Sequence, residues 1–281
     1  MNHVRRYCRR ASYNPTSPDC ASPNDYRAPV PQLHPFLDHP HPIAFAHRGG
    51  AGDAPENTIG AFAAAVDLGF RYLETDVHVT ADGVLVAFHD DKLDRVTDRT
   101  GVIAELTWDE VRTATVGHGG AISRMADLLE AFPDARFNID PKADASVEPL
   151  ADLITSTGSI DRVCVGAFSD RRIARLRKAL GPGLCTALGP RGVAQLELAS
   201  KGLPAGRLQA ECAQVPVSVG RITLVDAKFV AAAHQRSLQV HVWTIDDPDE
   251  MHRLLDLGVD GIMTDRPSIL RDVLVQRGQW A

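Results

Sequence analysis

The chain has 281 residues, 44% of them hydrophobic and 23% charged, so it has the length and apolar content of a folded protein and cannot be disordered throughout. The net charge of −6 comes from 30 basic and 36 acidic residues, and the first 42 residues hold five Arg against three Asp, so the remainder is more acidic still and excludes a body built to neutralise nucleic-acid phosphates. Five cysteines without a CxxC pair exclude a disulfide scaffold and fit a reducing compartment; no stretch approaches the roughly 18 apolar residues of a membrane span, and the basic start RRYCRR leads into no apolar signal region, so the expected address is cytoplasmic.

Residues 1–42 carry eight of the 18 prolines and show no helical or strand period; they read as a tail or linker, with the folded domain expected over 43–281. In that tail His34, His39 and His41 are Pro-spaced and make an ill-fixed ligand set for a metal. Beyond it, short apolar runs alternate with amphipathic segments. IAFAH predicts a first strand, and NTIGAFAAAVDLG a helix with Ile59, Phe62, Ala63 and Val66 at helical spacing. RYLETDVHV predicts strand two, VLVAFHD an inserted strand, and MADLLEAF the helix that closes an excursion over about 80–123. Strand three is RFNID (136–140), followed by a helix over about 147–155; RVCVGAF with RRIARLRKALG, and GLCTAL with RGVAQLELAS, supply units four and five. Cys164 and Cys185 lie inside these apolar runs and read as buried thiols. For strand six RLQAE (207–211) is favoured, although the following VPVSVGRITLV could also supply it. FVAAAHQR, LQVHVWT, PDEMHRLLDLG, DGIMT and PSILRDVLV complete a helix, strand seven, a helix, strand eight and a last helix. Eight such units predict an α/β protein, a (β/α)8 TIM barrel with a small insertion after strand two, with its chemistry at the carboxyl ends of the strands.

The ionisable groups fall at those ends: His47 and Arg48 after strand one, Glu74 and Asp76 in strand two, His89 after the inserted strand, Asp140 and Lys142 after strand three. Residues two apart on a strand share a face, which pairs Glu74 with Asp76 and Asp140 with Lys142. Two carboxylates on one face of an apolar strand need a counter-charge. A hard divalent cation held by Glu74, Asp76 and Asp140 supplies it, with oxygen donors that suit Ca²⁺, Mg²⁺ or Mn²⁺ better than zinc; the other reading is a cluster neutralised by Arg48 and Lys142 alone. His47 and His89, each ending an apolar strand, are the expected acid and base. His78, on the face of Asp76, is expected at the margin of the site or in solvent. Arg48 offers a planar fork to a phosphate. A cation, a guanidinium and two imidazoles together point to cleavage of a phosphate ester.

The segments AHRGG, APENT, ETDVHVTADGVLVAFHDDKLDRVT, NIDPK, WTIDDPDEM and GVDGIMTDRP resemble, in order, the signature segments of the glycerophosphodiester phosphodiesterase family over nearly all of residues 43–275. The resemblance implies a β/α barrel with an insertion after strand two. It also implies hydrolysis of a small-molecule glycerophosphodiester to sn-glycerol 3-phosphate and an alcohol, with a divalent cation, often Ca²⁺ or Mg²⁺. It puts His47 and His89 on the family's acid/base pair, Glu74 and Asp76 on its metal ligands and Arg48 on its phosphate contact, with attack by the glycerol 2-hydroxyl and a cyclic phosphate opened by water. Lys142 matches the family lysine, expected to neutralise phosphate or bridge the carboxylates, and Trp243 a tryptophan expected to wall the glycerol pocket. Asp140 departs from the pattern: the family has Glu there, in a segment resembling NIEIK, so one methylene is lost and its ligand role is the least secure. Asn57 is expected to support the helix start, Glu56 to join that capping or touch the site, and Gln209 to reach the pocket from strand six.

Three rivals remain. Lysophospholipid substrates on the same barrel would be marked by an apolar entry surface, which the 6% aromatic content and the lack of a visible apolar stripe disfavour. A non-catalytic phosphodiester binder would not need an acid/base pair. Aldolase or isomerase chemistry on the same fold is disfavoured by the HRG and PENT segments. No stable membrane insertion is expected.

Overall fold

The computed structural model describes residues 33–280. Eight parallel strands form a ring: β1 (Ile43–His47), β2 (Tyr72–Val79), β3 (Arg136–Pro141), β4 (Val163–Val165), β5 (Cys185–Thr186), β6 (Cys212–Pro216), β7 (Gln239–Trp243) and β8 (Gly261–Thr264). Neighbours follow chain order, β8 pairs with β1, and a parallel bridge between Ala187 and Cys212 joins β5 to β6 and closes the barrel. Each strand is followed by its helix: α1 (Ile59–Asp67), α2 (Met125–Ala131), α3 (Val147–Thr157), α4 (Asp170–Leu180), α5 (Pro190–Ser200), α6 (Ala227–His234), α7 (Pro248–Leu257) and α8 (Pro267–Gln276).

Local chemistry sets the helix ends. Thr58, Ser169, Asp226 and Asp247 each accept a hydrogen bond from the backbone N–H three residues on, satisfying a donor the helix cannot. Gly158 and Gly258 end α3 and α7 at φ +61° and +89°, where a Cβ would be strained. Between strands and helices lies the outer core, with Phe62, Leu73, Phe137, Leu150, Val240 and Leu254 among its buried members. All eight residues of β2 are buried, as a parallel strand between barrel interior and helix ring requires. An inner cluster holds Phe45, Tyr72, Met263 and three buried free thiols, Cys164, Cys185 and Cys212.

Packed chain begins upstream of the expected boundary at Ile43. Pro35–Leu37 form a 3-10 turn whose Phe36 and Leu37 are buried in the inner cluster, and the Tyr72 hydroxyl donates to Phe36 O at 2.9 Å. His34, read above only as a possible ligand, accepts from Phe36 N through Nδ1 at 3.1 Å and lies 3.0 Å from Gly183 O through Nε2. Proline content masked this plug, because two apolar side chains in a Pro-spaced run have no period. The rest of the expected tail, 1–32, lies outside the described residues. Phe36→Ala is expected to cost ~3–5 kcal/mol by leaving a void, measured as a lower denaturant midpoint; a loss within experimental error would show that the plug carries no stability.

Strand six is also displaced. RLQAE stops short of the barrel, and the paired segment is Cys212–Pro216, in register with β7 from Cys212↔Gln239 to Pro216↔Trp243. Gln209 therefore lines a separate groove with Arg177 and Gln195 rather than the barrel mouth. The remainder of VPVSVGRITLV forms an antiparallel hairpin, Ser218–Val219 against Ile222–Thr223, turning through Gly220 at φ +61°.

The insertion after β2 opens with Leu85–Ala87 antiparallel to β2 and carries its own small core of Val86, Phe88, Leu93, Ile103, Val111 and Ile122. Phe88 N donates to Asp76 O at 2.9 Å, which ties the chain just before His89 to the end of β2. Among the described residues no helix is long and apolar enough to cross a membrane.

Candidate active site

β1 ends in a sharp turn. Arg48 has φ +52°, and a Cβ on Gly49 would come within 2.9 Å of the α1 backbone, so the glycine is required by close approach. Arg48 N donates to Glu74 O at 3.0 Å, and Asn57 N closes the turn on Arg48 O at 2.9 Å. Asn57, itself at φ +59°, accepts from the Thr75 hydroxyl at 2.8 Å, so its role is structural. Glu56 does not cap α1, which Thr58 does; it accepts from Arg48 Nη1 at 3.1 Å and so touches the site.

Each of the two expected catalytic imidazoles is held by a carboxylate. His47 Nδ1 lies 2.6 Å from Asp265 Oδ1, and its Nε2 is 3.7 Å from Glu74 Oε2. Burial opposes its protonation, but the Glu74 charge and the hydrogen bond to Asp265 outweigh burial and raise its pKa. Asp265 is fixed in turn by donating its N–H to Asp246 at 2.8 Å. His89 Nδ1 lies 2.5 Å from Asp90 Oδ1. Arg95 grips Asp90 at 2.6 Å and Glu56 at 2.8 and 3.0 Å, and its hydrogen bonds hold the Asp90 carboxyl down at about 2. His78 is buried and lies 3.1 Å from His89 O, so it braces the loop rather than facing solvent. Asp265→Asn is expected to move the His47 titration to lower pH, read from the imidazole resonances. Because the raised value belongs to the folded state, this contact stabilises the fold fully below the ordinary 6.5 and is lost as pH rises through the folded pKa. An unmoved titration would detach Asp265 from His47.

β2 and β3 bring the carboxylates together: Asp76 is in register with Asp140, and Glu74 with Asn138. Lys142 Nζ sits between Asp76 at 2.8 Å and Asp140 at 2.9 Å. Arg48 Nε is 3.1 Å from Asp76 Oδ2 but not aligned as a hydrogen bond, so both atoms, like Asp140 Oδ1, are buried without a hydrogen-bond partner. Burial and the Asp76 charge push Glu74 up to about 7 despite the cations nearby; burial likewise raises Asp140, against the pull of Lys142. Orphaned carboxylate oxygens and a carboxyl short of counter-charge fit a hard divalent cation in donor chemistry. As the side chains stand, however, Lys142 bridges Asp76 and Asp140, and among the described residues no three carboxylate, imidazole or thiol groups converge closely enough to clasp a metal.

His47, Arg48, Glu74, Asp76, His89, Asp140, Lys142 and Trp243 all line one cavity of about 540 Å³ at the carboxyl ends of the strands. Trp243 meets Phe168 edge-on at 5.6 Å. Gln214 on β6 donates to Asn138 at 2.8 Å and takes the place expected for Gln209. The sequence reading did not single out Asp265, Asp90, Arg95, Asn138 or Gln214; only the first two carried a signal, each standing beside a strand end in a quoted segment. The apolar entry surface that no stripe revealed is present, because Phe168, Leu188, Val219 and Ile222 reach the same cavity from different loops.

Residues 47–269 match the glycerophosphoryl diester phosphodiesterase family. The chain belongs to this family. It is 42% identical over 252 residues to the probable glycerophosphodiester phosphodiesterase 2 of Mycobacterium tuberculosis, covering 87% of this chain and 95% of that one. Among solved structures it resembles a putative glycerophosphoryl diester phosphodiesterase from Silicibacter pomeroyi, with TM-score 0.75, 24% identity and coverage of 88% and 98% of the two chains. It also resembles an Oleispira antarctica phosphodiesterase solved with its product sn-glycerol-3-phosphate, with TM-score 0.70, 21% identity and coverage of 84% and 97%.

Proposed function

We propose that this glycerophosphodiester phosphodiesterase releases sn-glycerol 3-phosphate and an alcohol by acid/base catalysis between His47 and His89. The observation that carries the reading is the pair of imidazoles, each pinned at Nδ1 by a carboxylate and both lining one cavity with Arg48 and Lys142. Pinning Nδ1 leaves Nε2 as the working nitrogen. His47, whose pKa the Glu74 charge and the Asp265 hydrogen bond raise, acts as the acid, and His89 as the base. His89 takes the proton of the glycerol 2-hydroxyl as its oxygen bonds to phosphorus. The bond from phosphorus to the alcohol breaks, and the alcohol leaves with the proton of His47. Water then opens the cyclic phosphate with the two roles reversed, restoring both imidazoles. Arg48 and Lys142 offset the phosphate charge, and Trp243 walls the glycerol. A divalent cation (Ca²⁺, Mg²⁺ or Mn²⁺) held by Glu74, Asp76 and Asp140 would add electrostatic stabilisation of the non-bridging oxygens. A cytoplasmic address belongs to the same reading, supported by the three buried free thiols.

Hydrolysis of glycerophosphocholine in ¹⁸O-water tests the reaction. Label in the phosphate of glycerol 3-phosphate and none in choline is expected. Thermal stabilisation by glycerophosphocholine without product would instead mark a binder.

A further inference from the structure

His89 stands in a more open setting than His47. Its side chain is 34% exposed against 14% for His47, so packing holds it less firmly. The flanks of its loop are anchored, because Phe88 and Leu93 are buried in the insertion's own core, but residues 89–92 between them are half-buried or exposed. A guanidinium makes up the difference. Arg95 lies in the turn that Thr97 N closes on Leu93 O at 3.2 Å. Its Nε donates to Asp90 Oδ2 at 2.6 Å and its Nη2 to Asp90 Oδ1 at 3.2 Å, so the fork grips both oxygens of the carboxylate whose Oδ1 lies 2.5 Å from His89 Nδ1. On its other edge Nη1 and Nη2 donate to Glu56 at 3.0 and 2.8 Å. Glu56 is 12% exposed and accepts from Arg48 at 3.1 Å, so charges of alternating sign run from the β1 turn through Glu56, Arg95 and Asp90 to His89. Arg95 itself is 47% exposed, and ion pairs this open to water add little stability. What a planar fork bonded on two edges does supply is direction.

We propose that Arg95 is a positioning residue for the reaction: braced on Glu56, it orients the Asp90 carboxylate so that the His89 proton stays on Nδ1 and the Nε2 lone pair is left to the cavity. The inference rests on the reading of His89 as the base. A neutral imidazole has two tautomers, and only the one protonated at Nδ1 carries a lone pair at Nε2. Asp90 is the next residue in the chain, and its carboxylate can turn about two side-chain torsions; a fork bonded to both oxygens fixes them. Without the fork the carboxylate turns away, Nδ1 loses its acceptor, and the second tautomer is populated at the expense of the competent one. His47 has a different support, because its partner Asp265 is tied by its backbone N–H to Asp246 at 2.8 Å. Arg95 exchanges no proton and acts only through Asp90.

Kinetics on glycerophosphocholine and ¹⁵N resonances of the His89 ring, assigned by their absence from His89→Asn, test this together. Arg95→Met is expected to lower kcat ~10²-fold, the scale on which a misplaced catalytic group loses turnover, with a far smaller change in KM. For the neutral imidazole, the parent is expected to show the Nδ1–H tautomer alone and Arg95→Met a mixture of both. Arg95→Lys keeps the charge without the fork, so it is expected to recover little of the loss. In an Asp90→Ala background, adding Arg95→Met is expected to lower kcat less than about threefold further, because the route through Asp90 is already cut. A merely structural arginine would lower the melting temperature and leave the tautomer alone. Parental kcat in Arg95→Met overturns the proposal, as does a fall in kcat with the Nδ1–H tautomer intact, or a loss that repeats in full in Asp90→Ala. If Arg95→Met does not fold, Arg95→Lys decides by the same readouts, and full turnover with a single tautomer overturns the proposal. Absence of turnover in the parent overturns the phosphodiesterase reading instead, and the tautomer then decides the brace alone.

Discussion

His47→Ala and His89→Ala are each expected to lower kcat for glycerophosphocholine by ~10²–10⁴ while the barrel stays folded. The side chains sit at the rim, and neither belongs to the buried hydrophobic core, so truncation removes the Asp265 and Glu74 contacts of His47, the Asp90 contact of His89, and little packing. KM should move far less than kcat, because Arg48 and Lys142, the groups proposed to meet the phosphate, remain. The double variant should lose much less than the product of the two single losses, since an acid without its base no longer completes the proton circuit. Turnover measured by a coupled assay for glycerol 3-phosphate, beside thermal melts, checks this. Full activity in His47→Ala would sink the assignment of the acid.

Glu74→Gln should move activity and stability in opposite directions. Glu74 is buried beside Asp76 and its pKa is raised to about 7 from an ordinary 4.5. A carboxyl whose folded value exceeds its unfolded one contributes its full stability below pH 4.5, loses it as pH rises through 7, and above that leaves the fold holding a charge it disfavours. That cost is on the order of 3 kcal/mol, and the neutral amide of nearly the same shape removes it. In EDTA at pH 8 the variant is expected to melt higher than the parent, and at pH 4 the two should converge. The same change removes a proposed cation ligand and a charge beside His47, so turnover should fall at least ~10²-fold. A variant that melts lower at pH 8 would show that the Glu74 charge is already compensated without a cation. A variant that melts higher and turns over more slowly makes the site an example of strain kept for function.

The barrel was legible because its two periods are strong: apolar runs such as IAFAH and RVCVGAF alternate with helices whose caps, Thr58 and Asp247 among them, are written in the chain. Site residues at strand ends followed from the fold, and all eight of them reach one cavity. What stayed hidden depends on partners distant in sequence. Phe36 looks like part of a Pro-rich linker until Tyr72 donates to its carbonyl. RLQAE is the favoured strand and VPVSVGRITLV its alternative until pairing with β7 selects Cys212–Pro216, which starts after the first and runs into the second. Asp265 and His47 are 218 residues apart, and no local pattern announces their contact. The apolar entry surface has no stripe because its side chains come from separate loops, each of which contributes only a few. The carboxylate cluster and a Lys142 bridge to it, one of two readings of that lysine, are legible from spacing and resemblance, while side-chain reach decides that Nζ spans Asp76 and Asp140.

One rim, with its proposed acid/base pair and its carboxylates, is expected to cleave glycerophosphodiesters with the help of a divalent cation. The most direct test is release of glycerol 3-phosphate from glycerophosphocholine and glycerophosphoethanolamine by purified protein stripped with EDTA and then supplied with Ca²⁺, Mg²⁺ or Mn²⁺. Release that stops on stripping and returns with at least one of these ions is predicted. Unchanged release from fully stripped protein would contradict the cation's part and leave Lys142 and Arg48 as the counter-charges; no release under any condition, from folded protein, would contradict the account itself.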